Sequence, residues 1–332
     1  MVGPDGGKRA LQSSREVVGD VRRAYQLIDA KCSSQLFDKQ ILKDRYINYL
    51  DREEYSADSI KKYLYSLIDY ATFILTESIP VPNNDQSSIM NMRLLFQKWK
   101  SAYNKPAREN FWVRQEEDYS MLVTPAQVRT YRESDMAIEA QNLYKYFESE
   151  AKEVSQAEFV RMRDYLIACI HFSNGHRSGV TANLTLTEFR RSEKSSDMYL
   201  IKVRKHKNFA YCGPAIISLS PENFNIMKVY IEKVRSQVST DIDNVIISWT
   251  GGPMKSGDIS KRLHNLWLKA GIFNDRDIPK NLSANIIRKS TSTGVRASNA
   301  GGYQSVADLM AHSLSTAEKH YYMRNRVNHW GK

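Results

Sequence analysis

Apolar side chains in the first third of the chain repeat at three- and four-residue spacings. Within residues 36–50 they are Leu36, Phe37, Ile41, Leu42, Tyr46, Ile47 and Leu50. A helix turns once every ~3.6 residues, so this spacing puts them on one helical face. Similar stripes cover residues 59–75 and 89–99, each followed by a proline that a helix interior does not accept. These stripes predict an all-helical domain.

We place this helical domain at residues 15–110, with its first helix over roughly 15–31. The preceding residues 1–14 are rich in Gly, Ser and charge without periodicity, which predicts a disordered lead. Residues 106–123 have no clear period, so the domain boundary is expected near 110–120. A second domain then covers 120–332, because a chain of 332 residues is longer than a single core usually supports.

The second domain combines helices with a short β-rich stretch. Thr124-Pro125-Ala126-Gln127 and Ser155-Gln156-Ala157-Glu158 have the form of capping boxes, which predict helix starts. Side chains alternate over residues 199–204, and a second β-prone run covers 215–219, with a basic hairpin expected between them. A third strand is predicted over 244–249. The predicted fold class is mainly α with a small β-sheet or hairpin.

The charge balance predicts a polyanionic partner. The chain has 48 Lys and Arg against 37 Asp and Glu, a net charge of +11, which favours a polyanion such as nucleic acid, with an anionic membrane surface as the rival. No run of about 18 apolar residues is present to span a bilayer, and residues 1–20 lack a signal-peptide pattern. We therefore expect an intracellular protein without a membrane partner.

Cysteine usage gives no sign of a metal or disulfide framework. Cys32, Cys169 and Cys212 are too far apart for a paired-cysteine metal site, and their odd number argues against a set of disulfides. Carboxylates do not cluster at metal-ligand spacing near the basic motifs described below. No cofactor and no metal are predicted.

Four segments of the second domain carry residues suited to phosphate chemistry. They are NGHRSG at 174–179, VRKHKN at 203–208, NIIRKS at 285–290 and MAHSLSTAEKHYY at 310–322. Arg binds two phosphate oxygens at once, and a hairpin Lys can enter a DNA groove and protonate a leaving oxygen. Taken singly, a basic residue in such a segment is more often solvated, and a Tyr or His is more often an ordinary core residue. Their order along the chain favours a shared active site.

With these motifs in this order, the chain resembles the tyrosine recombinase and integrase family over roughly residues 30–325. The four phrases are most similar to those of Crypton-type recombinases of eukaryotic DNA transposons. In the helical first domain the resemblance rests on size and pattern only. It implies a helical core-binding domain that contacts DNA, followed by a catalytic domain that cuts and rejoins DNA.

The resemblance also implies roles for individual residues. Arg177 and Arg288 would grip the scissile phosphate, and Tyr321 would attack it to give a 3′-phosphotyrosyl enzyme and a free 5′-hydroxyl. Lys207 would protonate the leaving oxygen, with Lys205 as the second candidate. His312 would hydrogen-bond the phosphate or help deprotonate the nucleophile, since an unperturbed tyrosine has a pKa near 10.

Two positions depart from the family pattern. Asn285 stands where the family usually has His, and an amide binds phosphate without shuttling protons, so we assign it a binding role. Val180 stands where an acidic residue is common, so Arg177 must be oriented by other groups. Tyr322 adjoins Tyr321 and is the alternative nucleophile, although the nine-residue step from His312 favours Tyr321.

Other basic residues are predicted to bind DNA without taking part in the chemistry. They are Arg204, Lys205, His206, Lys289, Lys61 and Lys62. The family implies self-assembly on DNA as a dimer or tetramer, and a nuclear protein if the host is eukaryotic. Two other functions remain open: a type IB topoisomerase-like enzyme, and a domesticated DNA-binding protein that has lost catalysis.

Overall fold

The computed structural model describes residues 11–150, 152–272 and 282–298. The chain is mainly α-helical with one small antiparallel sheet, so the predicted fold class is confirmed. It divides into two compact units between Glu116 and Glu117. Within the described ranges, no helix is long and apolar enough to cross a membrane.

The first unit is built from helices that bury the predicted apolar stripes. Leu42, Leu64 and Phe96, from three different helices, are at most 1% exposed. Ser56 and Asp85 cap two of these helices with their side chains, which satisfies backbone N–H groups that have no partner within the helix. The α-helices of this unit are α1 Leu11–Leu27, α2 Lys39–Leu42, α3 Asn48–Arg52, α4 Ala57–Thr76, α5 Gln86–Ala102 and α6 Asn104–Ser120, which contains the division.

The helix predicted over residues 36–50 is not regular. A 3₁₀ turn covers Ser33–Phe37, and a π-helical turn over Lys43–Ile47 joins α2 to α3. Leu42, Tyr46 and Leu50 are all fully buried across this irregular stretch. The apolar pattern therefore predicted the burial of these residues correctly, but the prediction of one uniform helix is wrong.

Residues 104–120 form a helix where the sequence predicted an aperiodic boundary. Along α6 the only buried residue is Ala107, so this helix has almost no apolar face to produce a period. Lys105 and Glu109 form an i,i+4 ion pair at 3.9 Å near its start. Pro106 lies in the first turn, where a proline removes no intrahelical hydrogen bond.

The second unit surrounds the long buried helix α9. Both predicted capping boxes are present, at Thr124 and Ser155, and they begin α7 and α9. Phe159, Leu166 and Ile170 of α9 are fully buried in the main core. The α-helices here are α7 Pro125–Glu133, α8 Asp135–Ser149, α9 Gln156–Asn174, α10 Ser178–Asn183, α11 Leu186–Arg190, α12 Phe209–Cys212, α13 Pro221–Val229, α14 Ser256–Lys269 and α15 Ala284–Ser298.

The sheet has the order β1-β2-β3, with both pairs antiparallel. Its strands are β1 Glu193–Ser195, β2 Met198–Val203 and β3 Ala215–Leu219. Strands β2 and β3 match the predicted alternation, because Ile201, Val203 and Ile217 are fully buried. The connection between them is longer than a tight hairpin turn, since residues 204–214 include the helical turn α12.

Residues 244–249 do not form the predicted strand. Val245, Ile246 and Ile247 are fully buried, but this segment makes only isolated bridges, between Thr185 and Asn244 and between Ile247 and Pro253. A short apolar run indicates that the segment is buried, and a buried segment need not pair with another strand. The helix predicted from Ser220 to about Val238 is present, with a π-helical turn at Tyr230–Val234 and a 3₁₀ turn ending at Gln237.

Candidate active site

The NGHRSG turn begins where α9 ends. Gly175 closes the helix with φ +61°, a left-handed conformation that favours glycine, and its N–H donates to the carbonyl of His171 at 2.8 Å. The buried Asn174 amide donates to the carbonyl of Ile170 at 3.0 Å. Its Oδ1 accepts the N–H of Ser218 in β3 at 2.7 Å. The turn is therefore attached to the sheet.

His176 makes a second attachment to the same strand. Its fully buried ring donates from Nε2 to the carbonyl of Ile216 at 2.9 Å. Because β3 pairs with β2 on one side, Ile216 and Ser218 present these backbone groups on the opposite edge. The Asn174 and His176 side chains therefore complete an otherwise open sheet edge and fix the residue that follows, Arg177.

His171 lies behind this turn, also fully buried, with Nε2 at 3.1 Å from the Thr181 hydroxyl. Burial lowers the pKa of His171 to about 3 and that of His176 to about 4. The positive charge of Arg288 contributes to both shifts, and the charges of His206 and Arg177 contribute at His176. Both histidines are therefore neutral at pH 7.

We expect these histidines to make the protein less stable in mild acid. The folded-state pKa of His176, about 4, lies below the ordinary value of 6.5, so the unfolded chain binds more protons between these values and stability falls as pH falls. His176→Gln keeps an N–H donor for Ile216 and removes the titration. Between pH 7 and 5 it should lose about 2 kcal/mol less stability than the wild type.

Urea unfolding at both pH values measures this difference. An unchanged loss of stability in His176→Gln would show that His176 is not buried in the neutral form. His171 stays in both proteins, and burial, the largest cause of its own lowered pKa, is unchanged by the substitution.

Arg177 is positioned at the start of α10. Its backbone has the extended conformation of a residue preceding a helix, and its side chain is half-buried. The next residue, Ser178, shares a 2.6 Å hydrogen bond with the Ser256 hydroxyl at the start of α14. Contacts to β3 before Arg177 and to α14 after it thus hold the backbone on both sides.

Helix α15 brings the second predicted arginine to the same core. It packs against α9, and Ile286 and Ile287 are buried as predicted. The helical pattern of NIIRKS predicts that Arg288 and Lys289 point toward solvent or a ligand; they are only 1% and 7% exposed, so neither faces solvent. Asn285, one turn before, is exposed.

Lys289 has a partner within the protein. Its ammonium forms a short ion pair with Asp118, and Ser290 accepts the N–H of Val123 at 2.7 Å. Both contacts attach α15 to the segment at the start of the second unit. To make the predicted DNA contact, the ammonium of Lys289 would have to leave the carboxylate of Asp118.

The predicted basic residues of the β2–β3 connection lie mainly at the surface. Arg204, Lys205 and Lys207 are exposed. His206 is half-buried, and its Nε2 donates to the carbonyl of Gly213 at 2.8 Å. Its Nδ1 accepts the N–H of Asn208 at 3.4 Å, so the ring is held by the loop backbone on both sides.

The remaining predicted residues fall into two groups. His312, Tyr321 and the alternative Tyr322 lie outside the described residues. Lys61 and Lys62 lie on α4 in the first unit, half-buried and exposed respectively, and Lys62 lies 3.7 Å from Glu16 and 3.8 Å from Asp20. Among the residues the structure describes, no group of His, Cys, Asp and Glu could hold a metal ion.

Sequence analysis missed the groups that hold Arg177. Asn174 and His176 lie within a quoted motif, but their roles depend on β3 backbone groups more than 40 residues away. The signal that was available is polarity: two histidines and an asparagine occur at the end of a helix whose other side chains are mostly apolar. Buried polar groups need hydrogen-bond partners.

No protein-family model and no curated protein matches the chain. Among solved structures it is similar to XerA recombinase, at 16% identity over 96% of this chain and 89% of that chain, with a TM-score of 0.42. It is similar to XerH site-specific recombinase bound to difH substrate, at 14% identity over 95% of both chains, with a TM-score of 0.47. It is also similar to a lambda integrase dimer bound to a COC′ core site, at 11% identity over 96% of this chain and 91% of that chain, with a TM-score of 0.48.

Proposed function

We propose that this chain is a tyrosine recombinase that cuts and rejoins duplex DNA through a 3′-phosphotyrosyl intermediate. The observation that carries the proposal is that one core holds three of the four motifs. Helix α15, which carries Arg288, packs against α9, and α9 ends at the turn that carries Arg177. Asn174 and His176 attach this turn to β3, and the β2–β3 connection carries Lys207. Two arginines and a lysine on segments joined to one core suit the binding of a phosphate.

The chemistry follows from the residue types. Tyr321 attacks phosphorus, and the bond to the 5′-oxygen breaks as Lys207 protonates it. Arg177 and Arg288 stabilise the added negative charge of the pentacoordinate transition state, Asn285 donates a hydrogen bond, and His312 assists at the phosphate or the nucleophile. In the reverse direction, a 5′-hydroxyl attacks the phosphotyrosine and releases the enzyme. The phosphodiester energy is retained, so no ATP is needed.

The assignment to Crypton-type recombinases rests on the four sequence motifs. The resemblance of NGHRSG, VRKHKN, NIIRKS and MAHSLSTAEKHYY to the motifs of Crypton-type transposon recombinases supports this assignment. We extend the proposal to DNA binding by both units, assembly as a dimer or tetramer on DNA, and action in the nucleus of a eukaryotic host. Terminal repeats or duplicated target sites in the DNA flanking the coding region would test the transposon origin.

A type IB topoisomerase would use the same chemistry on one strand as a monomer. Relaxation of a supercoiled plasmid without pairing of two sites would favour that enzyme over a recombinase. A domesticated DNA-binding protein would bind duplex DNA and form no covalent adduct, although the chain retains every predicted catalytic residue type.

We expect covalent adduct formation in the presence of EDTA. Two arginines, a lysine and a histidine supply the charge stabilisation and proton transfer that many nucleases obtain from Mg²⁺. With a nicked duplex that loses its 5′-fragment after cleavage, the adduct should accumulate at the same rate, within about twofold, with and without the chelator. Cleavage that strictly requires a divalent ion would contradict the proposed chemistry.

A further inference from the structure

We propose that Tyr211, supported by Phe209, is a DNA-base contact site on the loop that carries Lys207. In this role Tyr211 stacks on a base beside the scissile phosphate and stabilises an opened base step. The inference rests on the proposed function, because it takes duplex DNA as the ligand of this loop.

Tyr211 differs from the other apolar surface residues in its exposure. Its side chain is 90% exposed, whereas the other exposed large hydrophobic residues of the described ranges are 38–57% exposed. Scattered apolar residues at a surface are ordinary. A tyrosine ring that touches almost nothing contributes little to the fold, so its presence is better explained by a partner.

The loop holds this ring on a fixed backbone. The Cys212 N–H donates to the carbonyl of Asn208 at 2.9 Å, and the Gly213 N–H donates to that of Phe209 at 3.0 Å. Gly213 has φ +68°, and its carbonyl accepts the Nε2–H of His206 at 2.8 Å. The His206 and Phe209 rings meet edge to face with centroids 6.1 Å apart. Such a pre-ordered loop loses little conformational entropy on binding.

The charge around the ring identifies the partner as nucleic acid. Arg204, Lys205 and Lys207 are exposed within the same loop, and Phe209 is 43% exposed. Cations that contact phosphates, combined with aromatic rings that stack on bases, are the usual means of binding exposed bases. An acidic peptide would use the cations and leave the exposed aromatic rings without a stacking partner.

The position of Tyr211 relative to Lys207 places the contact near the cleavage point. The Tyr211 N–H donates to the carbonyl of Asn208 at 3.0 Å, a turn whose ends lie within about 7 Å of each other, and Lys207 directly precedes Asn208. Base pairs are spaced at about 3.4 Å, so a loop with Lys207 at the leaving oxygen brings Tyr211 within about three base steps. Unstacking such a step costs free energy that a stacked ring recovers.

The test uses nicked duplexes carrying 2-aminopurine at the base steps beside the scissile phosphate. The variants are Tyr211→Ala, Tyr211→Phe and, as a control, Tyr146→Ala, which removes a 38% exposed tyrosine from α8 in the same unit. Wild-type binding should raise 2-aminopurine fluorescence, and Tyr211→Ala should lose that rise. Tyr211→Ala should form adduct about tenfold more slowly, whereas Tyr211→Phe and Tyr146→Ala should match the wild type.

A mismatched pair at the same step separates stacking from a simple groove contact. The mismatch supplies the unstacking in advance, so it should restore most of the rate lost in Tyr211→Ala. Equal rates and equal fluorescence for Tyr211→Ala and wild type on the matched duplex would overturn the proposal, as would a slowed variant that the mismatch does not rescue.

Failure of the proposed function gives a different result. In that case the wild type forms no adduct on either duplex. The fluorescence of bound DNA is recorded without cleavage, so it still decides whether Tyr211 stacks on a base.

Discussion

Tyr321→Phe should abolish the covalent protein–DNA adduct while leaving the affinity for DNA almost unchanged. The substitution removes only the oxygen that attacks phosphorus and keeps the ring. We expect adduct formation on a nicked duplex to fall below detection, a loss of at least about 10³-fold. Gel separation of protein–DNA adducts measures the reaction, and binding to an intact duplex provides the affinity.

Tyr322→Phe is the matched control for this substitution. It removes the same oxygen from the adjacent residue and should leave the adduct in place. Loss of the adduct in Tyr322→Phe together with its survival in Tyr321→Phe would move the nucleophile to Tyr322. An adduct formed by the double variant would contradict a tyrosine mechanism at either position.

Replacing either arginine should slow adduct formation without abolishing it. For Arg177→Ala we expect about 10²- to 10³-fold slower formation, the range found when one group that stabilises transition-state charge is removed. Lysine keeps the charge but cannot bind two phosphate oxygens, so Arg177→Lys should lie between alanine and wild type. Arg177 is half-buried, so a direct effect on folding is expected to be small.

Arg288 requires a separate control because it is only 1% exposed. Arg288→Ala would leave a cavity in the packed core, so its thermal stability must be compared with that of Arg288→Lys. If Arg288→Lys is folded and as fast as the wild type, bidentate binding of the phosphate by Arg288 is contradicted. Unchanged adduct rates in both alanine variants would remove the arginines from the mechanism.

Local sequence signals predicted the elements that carry the site. The capping boxes at Thr124 and Ser155 depend on residues three apart, and both are present. Alternation predicted β2 and a β-prone run predicted β3, and each strand has one face in the core. Burial of Ile286 and Ile287 also followed from their place on a helix face.

Contacts between distant segments could not be predicted from the same signals. Lys289 was expected to point toward solvent or a ligand from its place on the helix, but it is buried with Asp118, which is 171 residues away. His176 depends in the same way on the carbonyl of Ile216 in β3. The sequence therefore located the motif and not the groups that hold it.

Helix α6 and residues 244–249 show the limit of periodicity. A helix without a buried face gives no period, and α6 buries only Ala107. Conversely, Val245, Ile246 and Ile247 are fully buried without a regular strand. Periodicity reports which side chains leave water, and it predicts secondary structure only where one face does so.

The central claim is that one tyrosine carries the cleaved strand by its 3′-phosphate. The most direct test is to digest the wild-type adduct and identify the nucleotide-bearing peptide by mass spectrometry. We expect the 3′-phosphate on Tyr321, in the peptide that contains His320 and Tyr322. A 5′-linked nucleotide, or linkage to a residue other than a tyrosine, would contradict it.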